Sequence, residues 1–154
     1  MKKLLVLALL IFSLAGCEKT SPLIKDAENE TWTDLNEVSL AINQAEDAFF
    51  KDYYFVDMRE TSAYNETFVS GFKNVLRTEF DDYFEDVKKY SMIVLFTGNS
   101  ETASEAFSYL DALGFYNVKV VNTTSEAMFE HFSNRLMSVD ENGDTCPIEP
   151  QPGC

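Results

Sequence analysis

The stretch from Ser91 to Phe115, SMIVLFTGNSETASEAFSYLDALGF, constrains the fold of this chain more than any other. Met92 to Phe96 is apolar without a break, which predicts a strand buried on both faces, as in a parallel sheet. Thr97 to Thr102 is small and polar and predicts a tight loop. Ala103, Ala106, Phe107, Leu110 and Leu113 then recur at helical spacing. Thr102 and Glu105 have the spacing of a capping box for that helix, and Gly114 suits its C-terminal end. A strand, a tight loop and a helix N-terminus form an anion cradle by shape, because unpaired backbone N–H groups point into the loop.

The neighbouring sequence repeats the alternation. Leu35, Val38, Ile42, Ala45 and Phe49 predict a helix capped by Asp34. Tyr53 to Val56 is aromatic and β-branched and predicts a strand. Thr61 to Thr67 reads as a polar turn or short helix. Phe68 to Leu76 is irregular around Gly71, with Val75 and Leu76 as a short strand. Phe80, Tyr83, Phe84 and Val87 predict another amphipathic helix. Val118 to Val121 predicts a strand. Thr123 and Glu126 offer a second capping box, and Met128, Phe129, Phe132 and Leu136 mark the last helix. Strands alternating with helices predict an α/β domain with a central, mainly parallel sheet flanked by helices.

The N-terminus is of another kind. Lys2 and Lys3 precede the apolar Leu4 to Leu14, too short to span a bilayer comfortably, which is the pattern of a bacterial secretion signal. Leu14-Ala15-Gly16-Cys17 resembles the lipobox of bacterial lipoproteins. That resemblance implies cleavage before Cys17 and acyl chains on the new terminus, a stable membrane anchor since each buried CH₂ contributes about 0.8 kcal/mol. Glu18 in place of Asp implies the outer membrane of a Gram-negative cell, facing the periplasm. The expected organisation is therefore a cleaved signal at 1–16, a lipidated tether at 17–31, one domain at 32–138 and a polar tail at 139–154. Removing the first 16 of 154 residues leaves 138, enough for one core. It leaves 10 basic against 26 acidic residues, a net charge of −16. That balance argues against nucleic acid and against lying flat on an anionic membrane. The remaining cysteines, Cys146 and Cys154, are expected to form a small disulfide loop in an oxidising compartment; a free thiol is the alternative.

Several motifs carry a resemblance. Asp57-Met58-Arg59-Glu60, with Tyr64 following, resembles the D-x-R-E…E-Y element of rhodanese-like domains. Thr67 to Phe72 sits where that family has G-H-I-P-G-A, with only Gly71 identical. Leu113-Gly114-Phe115-x-x-Val118 is similar to its L-G-F-x-x-V. The resemblance spans roughly Trp32 to Met137 and implies the same α/β fold. Enzymes of that family move sulfane sulfur through the cysteine of a C-x-x-G-x-R loop. Counting back from Gly114 puts Thr97 at the cysteine, Ser100 at the glycine and Thr102 at the arginine, with Gly98 as an alternative loop glycine. No cysteine lies between Cys17 and Cys146.

The chemistry follows from these replacements. Sulfur transfer needs a thiolate, and a threonine hydroxyl needs a nearby base to act as a nucleophile. The single histidine, His131, falls in the last predicted helix. Glu101 places a negative charge in a loop that should attract an anion. Fold-sharing phosphatases and arsenate reductases also use a loop cysteine and are excluded on the same ground. The expectation is a catalytically inactive, membrane-anchored binding or scaffolding module with an envelope protein as partner and no cofactor. The alternative is sulfur-handling or thiol-redox chemistry by Cys146 or Cys154. A smaller option is a neutral or cationic ligand held by Thr97, Asn99, Ser100 and Glu101. Asp57 and Arg59 read as a local pair at a strand end rather than as catalysts. Asp140, Asn142 and Asp144 have one-three-five calcium spacing, but Gln151 stands where the twelfth-position acid belongs. No His/Cys cluster suits zinc, so no metal is expected. The aromatics, 13 Phe and seven Tyr, read mainly as core.

Overall fold

The computed structural model describes residues 31–32, 34–47 and 52–148. The expected signal segment, the lipidation site Cys17, most of the tether and the disulfide partner Cys154 lie outside the described residues. In chain order the elements are β1 (Thr31–Trp32), α1 (Leu35–Glu46), β2 (Tyr53–Asp57), α2 (Thr61–Glu66), β3 (Phe68–Val69), β4 (Lys73–Asn74), α3 (Phe80–Tyr83), β5 (Met92–Phe96), α4 (Ser100–Ala112), β6 (Val118–Val121), α5 (Ser125–His131), β7 (Leu136–Val139) and β8 (Thr145–Pro147).

Five strands form the central sheet in the order β1-β6-β5-β2-β4, and every neighbouring pair is parallel. The apolar run of β5 lies in the middle, where both faces are covered: Ile93, Val94 and Leu95 have no exposed surface and Phe96 has 1 %. Strand alternation divides these residues between two cores. Ile93 and Leu95 join Val56, Val118 and Val120 beneath Ala103, Ala106, Phe107 and Leu110 of α4, with Phe80, Phe84 and Phe115 completing the layer. Val94 and Phe96 face the other way, onto Val38, Ala41 and Ile42 of α1 and Met128 and Phe132 in and after α5.

Helix ends follow from side chains that take over orphan backbone groups. Asp34 caps α1 by accepting from the Asn36 N–H at 2.8 Å. At the end of α4, Gly114 has φ +88°. There the Gly114 N–H donates to the Asp111 carbonyl and the Phe115 N–H to the Leu110 carbonyl, the two bonds of a Schellman motif. Phe115 and Leu110 are both in the core beneath it.

Several local expectations are corrected. The cap of α4 is Asn99, not Thr102, and the cap of α5 is Thr124, not Thr123. The short strand after Gly71 is Lys73–Asn74 rather than Val75 and Leu76. The helix expected around Phe80 to Val87 is a single turn, Phe80–Tyr83, although Phe80, Phe84 and Val87 are all buried as that spacing requires. The last helix ends at His131, and Leu136 opens a strand. Residues 136–147 are a β-hairpin, β7–β8, which pairs with β3 in a second, antiparallel sheet of order β3-β7-β8. The polar tail expected from residue 139 therefore begins inside a sheet.

Candidate functional site

The C-terminal edge of the parallel sheet gathers the ends of β2, β5 and β6, the region where open α/β sheets place ligands. β2 delivers Asp57 there. Its carboxylate is 1 % exposed and is matched by Arg59 two residues on. Arg59 Nε donates to Oδ1 at 3.0 Å and Nη2 to Oδ2 at 2.7 Å, and the Arg59 backbone N–H also reaches Oδ1 at 3.0 Å. The same Nη2 donates to the Thr67 carbonyl at 2.7 Å, tying α2 to the strand end. The guanidinium lies over the rings of Phe96 and Phe129, at 5.5 and 4.9 Å from their centroids. Asn74 Nδ2 bonds the carbonyls of Asp57 and Arg59 at 2.9 and 2.8 Å. The fork geometry makes this a positioning pair: every strong contact of Arg59 is consumed within the fold. Glu60 is exposed and its carbonyl opens α2 by accepting from the Tyr64 N–H. Burial, reinforced by the Asp57 charge, raises the Tyr64 hydroxyl pKa above its ordinary value. That hydroxyl donates to the Phe72 carbonyl at 2.9 Å. Gly71, at φ +98°, turns the chain between β3 and β4.

Beside Arg59 lies the loop that leaves β5. Thr97 is buried, and its hydroxyl donates to the Asn99 carbonyl while accepting from the Asn99 N–H at 3.1 Å. Asn99 Oδ1 accepts from the Glu101 N–H at 2.8 Å and the Thr102 N–H at 3.4 Å. The Ala103 N–H donates to the Asn99 carbonyl at 3.2 Å. Three backbone N–H groups that an anion would use, those of Asn99, Glu101 and Thr102, are thus already satisfied by the loop itself. Gly98 has φ +65°, and a Cβ built there would lie 3.3 Å from Ser125 Oγ and 3.7 Å from Arg59 Cδ. A side chain at residue 98 would therefore be strained and crowded, because the loop is pressed onto Arg59 and α5. Glu101, exposed in the first turn of α4, faces the favourable end of the helix dipole.

The structure thus brings Asp57, Arg59 and residues 97–99 together at one sheet edge. His131, at the end of α5, instead meets Ser39 of α1, with Nε2 and Oγ 3.0 Å apart. Cys146 is half-buried in β8, in the antiparallel sheet. Among the described residues no group of three or more His, Cys, Asp or Glu side chains could hold a metal ion. In the calcium-spaced segment, Asp140 Oδ1 accepts from the Asn142 and Asp144 N–H groups, so it closes the hairpin turn. Sequence reasoning missed the plugging role of Asn99, the bracing by Asn74 and the stacking of Phe129. Asn99 had a readable signal: an Asn just ahead of an apolar-periodic run is a preferred N-cap.

Solved structures share this fold. The As–Sb reductase from Leishmania major superposes with a TM-score of 0.57 at 14 % identity, covering 77 % of this chain and 92 % of that one. The BH2092 protein from Bacillus halodurans gives 0.54 at 19 % identity over 77 % and 78 %. The rhodanese-like domain of the Alr3790 protein from Anabaena sp. gives 0.51 at 18 % identity over 79 % and 84 %. The fold is rhodanese-like. No protein-family model matches the sequence, and neither does any curated protein. On the rhodanese-like fold, the loop after β5 departs from the sequence motif described above: it carries Thr97, and the side chain of Asn99 caps the helix that follows.

Proposed function

We propose that this chain is a catalytically silent rhodanese-like domain that serves as a binding or scaffolding module, held on a bacterial envelope membrane by lipid on Cys17. One observation carries the silent reading. The Thr97 hydroxyl and the N–H groups of Asn99, Glu101 and Thr102 are all engaged within the loop. Sulfur transfer needs an ionised sulfur at that place with N–H groups turned toward it. A hydroxyl bonded on both sides to the Asn99 backbone, with no hydrogen bond to a base among the described residues, supplies neither. For the same reason the reduction of arsenic and antimony named for the Leishmania protein is not carried over to this chain. The test is turnover of thiosulfate and cyanide by the purified protein. Background rates are expected, and a rate abolished by Thr97→Ala would make the loop catalytic.

The envelope part of the reading rests on the lipobox-like Leu14 to Cys17 and the short apolar segment before it. Mass spectrometry of the mature N-terminus tests it, and an intact signal or unmodified Cys17 would remove it. A pull-down from detergent-solubilised membranes identifies the protein partner. The rival reading, thiol chemistry by Cys146 and Cys154, is separated by alkylation without reductant: two blocked sulfurs support the silent module, and a labelled thiol supports the rival.

A further inference from the structure

Large apolar side chains that remain well exposed collect at one corner, opposite the candidate loop. Among the described residues, three of the five that stay more than a third exposed are Tyr90 (49 %), Leu113 (37 %) and Tyr116 (58 %). Two turns bring them together. The Tyr116 N–H donates to the Lys89 carbonyl at 3.3 Å, joining the turn before β5 to the turn that closes α4. Lys88 Nζ lies 5.4 Å from the centre of the Tyr90 ring, and Lys89 Nζ lies 3.9 Å from that of Phe115. The corner is thus two tyrosines and a leucine fringed by two exposed lysines.

Its place in the topology sets it on the side from which the chain enters the sheet. Both turns sit at the N-terminal edge of the parallel sheet, directly before β5 and β6. β1 runs parallel to β6, with Thr31 level with Val120, so the chain enters the sheet from that same edge. Cys17 lies fourteen positions before Thr31, which limits their separation to about 50 Å even at full extension. We propose that this corner is the membrane-facing surface of the domain, with Tyr90, Leu113 and Tyr116 seated at headgroup level of the bilayer that holds the anchor. The proposal rests on the lipid-anchor reading. Tyrosine partitions to bilayer interfaces, and lysine stems lie along apolar surface while their ammonium groups stay in water. Tethering makes a weak surface effective, because docking is then intramolecular.

The surrounding charges decide the kind of attraction. Lys88 is matched by Asp52 at 3.3 Å, and Glu85 and Asp86 are exposed just before it. The corner therefore has no net positive field, and its docking is an aromatic partition that salt does not screen.

The test uses the full-length chain, with its native mature N-terminus, in phosphatidylcholine vesicles doped with a paramagnetic lipid. Intact mass first reports acylation of Cys17. NMR line broadening is expected to be several-fold greater for residues 88–90 and 113–116 than for residues 97–102, and unchanged at high salt. The double variant Tyr90→Ser, Tyr116→Ser is expected to remain acylated and folded, because both side chains are exposed, and to lose that bias. An acylated protein whose broadening is uniform, or greatest at residues 97–102, overturns the docking surface and leaves the anchor standing. Contacts between copies at Tyr116 also overturn it, assigning the corner to self-association. An unacylated Cys17 removes the anchor and this proposal together.

Discussion

Arg59→Ala leaves the Asp57 carboxylate buried without its cation and removes a cap on the Thr67 carbonyl. Breaking a buried pair in this one-sided way costs about 3–5 kcal/mol. Arg59→Lys keeps the charge but loses the fork and the stacking on Phe96 and Phe129, and is expected to cost about half as much. Urea unfolding checks both as a lowered midpoint at constant slope; an unmoved midpoint for Arg59→Ala would mean the pair is ornamental. At the neighbouring loop, Thr97→Cys is expected to remain inactive toward thiosulfate and cyanide. Asn99 would still occupy the helix N–H groups, and Glu101 would still repel the anion. Turnover by the single variant would show that the missing sulfur alone silences the site. The sequence conveyed the Asp57–Arg59 pair because two residues on one strand end dictate their own contact. It did not convey the role of Asn99, which depends on how the loop leaves β5. Thr97, Asn99 and Thr102 are all acceptable caps, and only the backbone path chooses among them.

Among the elements, the β7–β8 hairpin was the least legible. Met128, Phe129, Phe132 and Leu136 sustain a helical spacing, and nothing in that spacing stops the helix at His131. The turn DENGD reads as part of a polar tail, with a calcium spacing that lacks its twelfth-position acid, yet it has the chemistry of a three-residue hairpin connection. Gly143, at φ +87°, follows a turn closed by the Gly143 N–H on the Asp140 carbonyl, and the Asp140 N–H bonds Asp144 across the neck. The Asp144 and Asn142 N–H groups hold the Asp140 carboxyl below its ordinary pKa. A carboxyl lowered in the folded state stabilises it above the unfolded pKa, near 4, and loses that contribution as the pH falls through the folded value. The hairpin is thus expected to loosen as the pH falls through and below the unfolded value near 4, seen as lower amide protection factors at Ser138 and Val139. Asp140→Ala should remove that pH dependence; an unchanged profile would place the titrating group elsewhere. Asn99→Ala is expected to cost about 1 kcal/mol through the α4 cap, measured by thermal unfolding.

For the whole molecule, the legible part was the sheet and the illegible part was the function, for one physical reason. Burial of Ile93 to Phe96 is required by the parallel sheet whatever the loop beyond them does, so an apolar run reports architecture. Function on such a fold depends on a few atoms in the loops beyond the strands that leave the sheet untouched, and many unrelated functions can sit on one fold. The shared strand also sets how the molecule unfolds. Leu95 belongs to the core under α4, while Val94 and Phe96 belong to the core under α1 and α5, and a single backbone carries both. Leu95→Ala opens a cavity in one layer and is expected to cost about 2–5 kcal/mol. That loss should appear equally in far-UV circular dichroism, which reports the helices on both faces, and in near-UV signals from the phenylalanine-rich layer under α4. Coincident transitions identify one cooperative unit. If the near-UV transition moved alone, the two layers would be separate folding units and β5 would not couple them.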